Sequence, residues 1–344
     1  MSLITTMRAV ICPHVPIAPL QLVYSPMHPA PQPADGHVLI RVKGFGLNRS
    51  ELYTRNGQSP GLVFPRILGI EAVGIVEHAG GGDWNKGDVV AAMMGGMGRV
   101  FDGGYAEYTL IPHKFVSPPV TLPQNISWAQ FAAIPETFMT AWGSLKFALK
   151  LQPSETLLIR GGSSSLGLAM ASLAKSKNPA FGFSASTVIA TTRSEAKVPI
   201  LQASGVDHAV VDPSSSKISD AVKSLTPNGA GVNKAIELVG PPVLADTAAA
   251  LQGDGVVAMV GSLSNVWSTE LDLMSILRPS KHVTMFGSDT IVLSEAPLQA
   301  LVDAVSSGEL KVNVDKIFDI ADVGQAHAYM EANSAAGKVV CLVD

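Results

Sequence analysis

One stretch, residues 156–177, constrains the possible folds of this chain more than any other. A short apolar run, Thr156-Leu157-Leu158-Ile159-Arg160, leads into Gly161-Gly162-Ser163-Ser164-Ser165-Leu166-Gly167. Apolar residues then recur at Leu166, Met170, Leu173 and Ala174, which line up on one face of a helix. A strand, a tight glycine turn and a helix N-terminus in this order form an anion site, because the first helical amides point outward and the helix dipole favours negative charge. Gly162 and Gly167 occupy the first and third places of a dinucleotide fingerprint, and Ser164 stands where the middle glycine belongs. The cradle therefore consists of Gly162, Ser163, Ser164, Ser165, Leu166 and Gly167, with serine hydroxyls available to donate to a pyrophosphate.

The residues downstream fit that start. Apolar strands are expected near 156–160, 187–191, 208–212, 234–239, 255–260 and 282–286, with helical stretches such as Leu166 to Lys177 and Pro242 to Leu251 between them. Six buried strands with crossovers predict an α/β, doubly wound, parallel Rossmann sheet. The second strand ends in Thr192-Arg193-Ser194 with Lys197 close behind, and the nearby acid, Glu195, is expected on the following helix. A carboxylate at that strand end would grip a ribose 2′-hydroxyl, whereas a guanidinium pairs with a 2′-phosphate. NADPH is thus the expected cofactor.

The first 125 or so residues read differently. Runs such as Val38–Val42, Gly74–Glu77 and Asp88–Ala91 lie between Gly and Pro clusters, the pattern of a small barrel or sandwich. Ser127 with Gln130 is a capping box opening a helical stretch to about Lys150, broken at Pro135. After residue 290 the pattern predicts helix Ala296–Ser306, a strand near Lys316–Phe318, helix Val323–Glu331 and a closing strand Lys338–Val343. The expected domains are 1–126, completed by 290–344, and 127–289.

Composition excludes several alternatives. With 47% hydrophobic and 15% charged residues and a net charge of -4, no basic patch offers itself to nucleic acid. No apolar run is long enough to span a membrane, and Met1 to Pro13 lacks a signal-peptide core. The two cysteines, Cys12 and Cys341, form no Cys-x-x-Cys unit, which suits a reducing, cytoplasmic setting. Cys341 to Asp344 formally matches a prenylation box but reads better as the closing strand.

The chain resembles the medium-chain dehydrogenase/reductase superfamily, in particular its zinc-independent, zeta-crystallin-like quinone oxidoreductase branch. The resemblance is carried by Gly46-Leu47-Asn48-Arg49-Ser50-Glu51-Leu52-Tyr53, Leu68-Gly69-Ile70-Glu71-Ala72-Val73-Gly74, Lys86-Gly87-Asp88-Val89-Val90, Gly103-Gly104-Tyr105-Ala106-Glu107-Tyr108, the glycine turn, Gly205-Val206-Asp207 and Gly337-Lys338-Val339-Val340. It implies a GroES-like β-barrel catalytic domain, a Rossmann domain, a cleft between them and a homodimer paired through the sixth strand near Val283–Phe286. Zinc-dependent members carry ligands near the Asn48 position and just before Glu71; Asn48 and Ile70 supply neither thiolate nor imidazole. No metal is therefore expected, and Glu71 is expected to accept hydrogen bonds inside the barrel. Asn48 and Tyr53 are implied beside the nicotinamide, Tyr53 as proton donor or oxygen clamp, or else as a tyrosine packed under a loop. Thr140 matches the family threonine near the nicotinamide, or lines its helix. Backbone at Gly240, Gly261, Ser262 and Leu263 is implied to meet the nicotinamide. Lys338 either touches a cofactor phosphate or is a solvated turn residue. The implied substrate is a small quinone or a conjugated enone or enal; a trans-acting enoyl reductase and a non-catalytic NADPH-binding protein stay open. The link 178–186 is longer, and Gln58-Ser59-Pro60 less aromatic, than the family pattern.

Overall fold

The computed structural model describes residues 4–214, 217–333 and 335–344. The chain begins with β1 (Thr6–Cys12), β2 (Val23–Pro29), β3 (His37–Gly46), α1 (Arg49–Arg55), β4 (Arg66–Ile67), β5 (Glu71–His78), β6 (Val89–Met93) and β7 (Tyr108–Pro112). The three runs between Gly and Pro clusters fall in β3, β5 and β6. Ser127 caps α2 (Trp128–Ala132) as expected: Gln130 N donates to Ser127 Oγ at 3.2 Å and Ser127 N to Gln130 Oε1 at 3.0 Å. The helical stretch breaks before Pro135 and resumes as α3 (Pro135–Gly143), which continues into a π-helical turn at Ser144–Ala148.

Strand and helix then alternate: β8 (Thr156–Arg160), α4 (Ser165–Lys175), β9 (Thr187–Thr192), α5 (Val198–Ala203), β10 (His208–Val211), α6 (Ser219–Ser224), β11 (Val232–Glu237), α7 (Leu244–Ala249), β12 (Leu251–Met259), α8 (Leu273–Ile276) and β13 (His282–Met285). All six strands are parallel, in the order β10-β9-β8-β11-β12-β13. The order reverses between β8 and β11, so the crevice at their carboxyl ends is the topological switch point where such sheets bind ligands. The long link 178–186 folds back on α4, burying Phe181 and Phe183 and bonding Ala185 N to Ala174 O at 2.7 Å.

The last elements are α9 (Leu298–Ser306), β14 (Val314–Asp319), α10 (Val323–Glu331) and β15 (Lys338–Leu342). β15 seats Cys341 fully buried between β14 and β3. The barrel expectation is refined here. The strands form a β14-β15-β3-β5-β6 sheet with β7 on β3, and a separate β2-β1-β4 sheet. β1 reaches towards β7 through one bridge, Ala9 to Ala106, and its pairing with β2 shifts register between Met7 and Ala9. A single bridge is not a ladder, so among the described residues the two sheets are not joined into one continuous hydrogen-bonded circuit. Phe45 stacks on Tyr105 at 4.8 Å in the core these sheets enclose.

The chain divides into two compact units. One is the part through Glu136 with Asp289–Ser307 and Val312–Asp344; the other is Thr137–Ser288 with Gly308–Lys311. The expected boundary after residue 126 differs from this, because α2 packs on β3 and β15 of the first unit: Ala132 Cβ lies 3.2 Å from where a side chain on Gly44 would begin.

Candidate active site

In the second unit three turns meet at the switch point. Gly161 follows β8, and a Cβ on it would lie 3.1 Å from Leu238 Cβ and 3.2 Å from Leu263 Cδ1, on the turns after β11 and β12. Those two turns are joined by Leu263 N to Leu238 O and Ser264 N to Val239 O, both 2.9 Å. Gly240 has φ +117°, and a Cβ there would lie 2.6 Å from Ser262 Oγ, so only glycine fits. Gly161, Gly162, Gly167, Gly240, Gly261, Ser262 and Leu263 are thus brought together at the carboxyl ends of β8, β11 and β12.

The serines of the cradle divide their roles. Ser164 caps α4: its hydroxyl donates to Gly161 O at 2.8 Å and accepts from Gly167 N at 3.1 Å. This corrects the expectation that Ser164 offers its hydroxyl to a pyrophosphate, since capping a helix end engages both functions of the group. The amides of Ser165 and Leu166 remain in the first turn, where a helix provides no internal acceptor. A Cβ on Gly167 would lie 2.5 Å from Gly162 O, so the turn closes tightly enough to bring these amides to a phosphate. Thr192 Oγ1 donates to Ser163 Oγ at 3.3 Å, joining the cradle to the end of β9, where Arg193 is exposed and Lys197 half-buried. These residues fit a dinucleotide. Thr140 is buried in α3, where its carbonyl accepts from Ser144 Oγ at 2.7 Å.

Sequence reasoning missed two buried charges beside these turns. Arg160 and Glu237 end adjacent strands in register, at 1% and 0% exposure. Glu237 Oε1 accepts from Val239 N at 2.6 Å and Gly240 N at 3.0 Å, while Oε2 accepts from the Thr247 hydroxyl. Arg160 Nη1 donates to Asp246 at 2.7 Å and to Thr247 Oγ1 at 3.1 Å. Burial raises the Glu237 carboxyl above its ordinary value, opposed by these donors. A charge on the last residue of an apolar strand was the available signal.

The first unit holds a second polar cluster. Glu71 and Lys338, at 1% and 3% exposure, form an ion pair of 2.7 Å. Glu71 also accepts from Asn48 Nδ2 and from Glu136 N, both at 2.9 Å, so its expected acceptor role holds. Lys338 Nζ further donates to Asn48 Oδ1 at 2.6 Å. Two expectations are corrected by this. Lys338 is neither solvated nor turned to a phosphate, because its ammonium neutralises a buried carboxylate. Asn48 holds Glu71 and Lys338 through its carboxamide instead of aiming that group at a substrate oxygen. The cluster continues through Glu51, whose carboxylate accepts from Asn48 N at 2.9 Å and Ile70 N at 3.0 Å. Desolvation pushes Glu51 up to about 7 against these donors. Its signal was the capping-box spacing of Asn48 and Glu51. Tyr53 lies on α1 beyond this cap, half-buried; burial raises its phenol above the ordinary value and Arg49 opposes that shift.

The donor set does not fit zinc. Asn48 and Ile70 offer no thiolate or imidazole, and the cation beside Glu71 is Lys338. Among the described residues no group of three or more His, Cys, Asp or Glu is placed to hold a metal, and no helix is long and apolar enough to cross a membrane.

Fold and turns together define an α/β protein with a dinucleotide-type crevice. The family described as "Alcohol dehydrogenase GroES-like domain" matches residues 34–123, and "Zinc-binding dehydrogenase" matches residues 204–341. The quinone oxidoreductase of Homo sapiens is 28% identical over 91% of this chain and 91% of its own length. Among solved structures, an NAD-dependent alcohol dehydrogenase is 27% identical with TM-score 0.84, over 98% of this chain and 100% of its own. A mycobacterial protein in complex with NADPH is 25% identical with TM-score 0.82, again over 98% and 100%. These matches support the quinone oxidoreductase branch of the medium-chain dehydrogenase/reductase superfamily for this chain, and with it an oxidoreductase that uses a nicotinamide cofactor.

Proposed function

We propose that this chain is a zinc-free, NADPH-dependent, cytoplasmic oxidoreductase that reduces a quinone, or the C=C bond of a conjugated enone or enal. The observation that carries the cofactor preference is the end of β9, where exposed Arg193 follows Thr192 and no acid stands before Glu195. A guanidinium there attracts a 2′-phosphate, where a carboxylate would repel it. The mycobacterial relative with NADPH supports the reading, while the NAD-dependent one sets the alternative to test. Bound at these turns, the reduced nicotinamide supplies the hydride. The Ser165 and Leu166 amides hold the pyrophosphate, and Thr192 sets Ser163 against the β9 end that carries Arg193. Tyr53, its phenol raised by burial, keeps its proton at neutral pH and delivers it to the reduced product.

Turnover of NADPH and NADH with a panel of quinones and enones tests the reading. NADPH oxidation by at least one substrate class is expected. Cofactor binding without oxidation across the panel favours a non-catalytic role, and a preference for NADH refutes the reading of Arg193. Elemental analysis after chelator treatment should find far less than one zinc per chain with full activity; stoichiometric zinc tied to activity refutes the zinc-free assignment. We also propose a homodimer through β13, an edge strand whose Val283 and Met285 are 42% and 71% exposed. A monomer mass by light scattering at micromolar concentration would refute it.

A further inference from the structure

β8 and β11 lie side by side, and Arg160 and Glu237, paired in register, are the last residues of each. The next residue on one strand opens the phosphate cradle, and the next three on the other form the Leu238–Gly240 turn. Both side chains are buried, and they meet through Thr247 on α7. Thr247 Oγ1 accepts from Arg160 Nη1 at 3.1 Å and donates to Glu237 Oε2. Arg160 is anchored further by Asp246, which also accepts from Ile218 N at 2.8 Å and Ser219 N at 3.3 Å. Leu238 N donates to Arg160 O at 3.1 Å, so the two strand ends are tied by backbone as well.

A buried charge network of this kind gives little net stability over well-packed apolar residues. Its effect here is geometric. The two N–H groups that Glu237 collects belong to consecutive residues of one turn, and the second is Gly240, held at φ +117° against Ser262. A carboxylate accepting both amides holds that turn by two charge-assisted hydrogen bonds.

The strand order indicates which half of a ligand the turn serves. With the pyrophosphate at the β8 cradle and the adenosine ribose at the end of β9, the rest of a dinucleotide extends over β11 and β12. We propose that Glu237, held by Thr247 and Arg160, is a positioning residue that sets the Val239–Gly240 turn for the nicotinamide half of the cofactor. This rests on the reading of the crevice as a nicotinamide dinucleotide site.

Calorimetry with whole cofactor and with adenine-side fragments tests it. Wild-type protein is titrated first with NADPH, NADH, 2′-phospho-ADP-ribose and ADP-ribose; failure to bind any of them refutes the cofactor reading itself and this proposal with it. In Glu237→Gln, affinity for the better whole cofactor should fall about tenfold, while affinity for its fragment stays within about twofold. Thr247→Val should show the same selective loss to a smaller degree, and Thr247→Ser, which keeps the hydroxyl, should restore the wild-type ratio. The Thr247 pair carries the test alone if Glu237→Gln does not fold. Equal losses for whole cofactor and fragment, or unchanged affinities in the variants that fold, would overturn the proposal.

Discussion

Replacing Lys338 by Met removes one charge and leaves the rest of the side chain nearly in place. In the wild-type protein the ammonium lies 2.7 Å from Glu71 and 2.6 Å from Asn48 Oδ1, with both charged residues at 3% exposure or less. Met fills the space of the lysine stem, so little packing is lost. What remains is a carboxylate buried without its cation, a situation that costs about 3–5 kcal/mol when one partner of a buried pair is removed. The carboxamide oxygen of Asn48 also loses its donor, adding about 1 kcal/mol. Against a total stability of about 5–15 kcal/mol, a loss of this size is large. Glu71→Gln in the Lys338→Met background removes the stranded charge, while the new carboxamide still accepts from an amide, so the double variant should recover at least about 2 kcal/mol. Urea unfolding, followed by fluorescence and circular dichroism with m values compared, measures both quantities. A single-variant loss below about 1 kcal/mol, or a double variant no more stable than the single, would show that the pair is not the electrostatic centre of the cluster.

Three further outcomes are expected. Arg193→Ala should weaken NADPH binding by about ten- to a hundredfold and leave NADH nearly unchanged, the range that one charge-assisted pair supplies; equal losses in calorimetry would remove Arg193 from 2′-phosphate recognition. Tyr53→Phe keeps the ring, and should lower kcat for enones by about 10²-fold or more but for quinones by less than about tenfold, because a carbanion needs a placed acid and a quinone oxygen does not; an intact enone rate would exclude the phenol as proton donor. His327 is fully buried against Tyr105 and near Arg55, and desolvation first, then Arg55, depress it to about 3. Its contribution to stability is therefore complete above about 6.5 and is lost as pH falls towards 3, with a limiting slope of about 1.4 kcal/mol per pH unit. Burial acts with the opposite sign on Glu51, so the informative quantity is the difference between wild type and His327→Gln, whose stability curves should converge on acidification; parallel curves between pH 6 and 4 would contradict the buried neutral imidazole.

Local pattern was enough to establish the six strands of the Rossmann sheet, the glycine turn and the helix caps. These depend on short-range rules: apolar runs that need burial on both faces, glycines at turns too tight for a side chain, and a serine three residues before its glutamine. Gly162, Gly167 and Gly240 were legible because close neighbours leave no room there for a side chain, and at Gly240 a positive φ adds to this. The work of Asn48, Lys338, Arg160 and Glu237 became visible only in the folded chain. Lys338 meets Asn48 across 290 positions of sequence, and Arg160 meets Asp246 across 86. No periodicity carries such a pairing, because a charged residue reads the same whether it is solvated or neutralised in a core. Which of these holds is settled by desolvation: once β15 places Lys338 beside β3, the buried ammonium must find a carboxylate, and it pairs with Glu71.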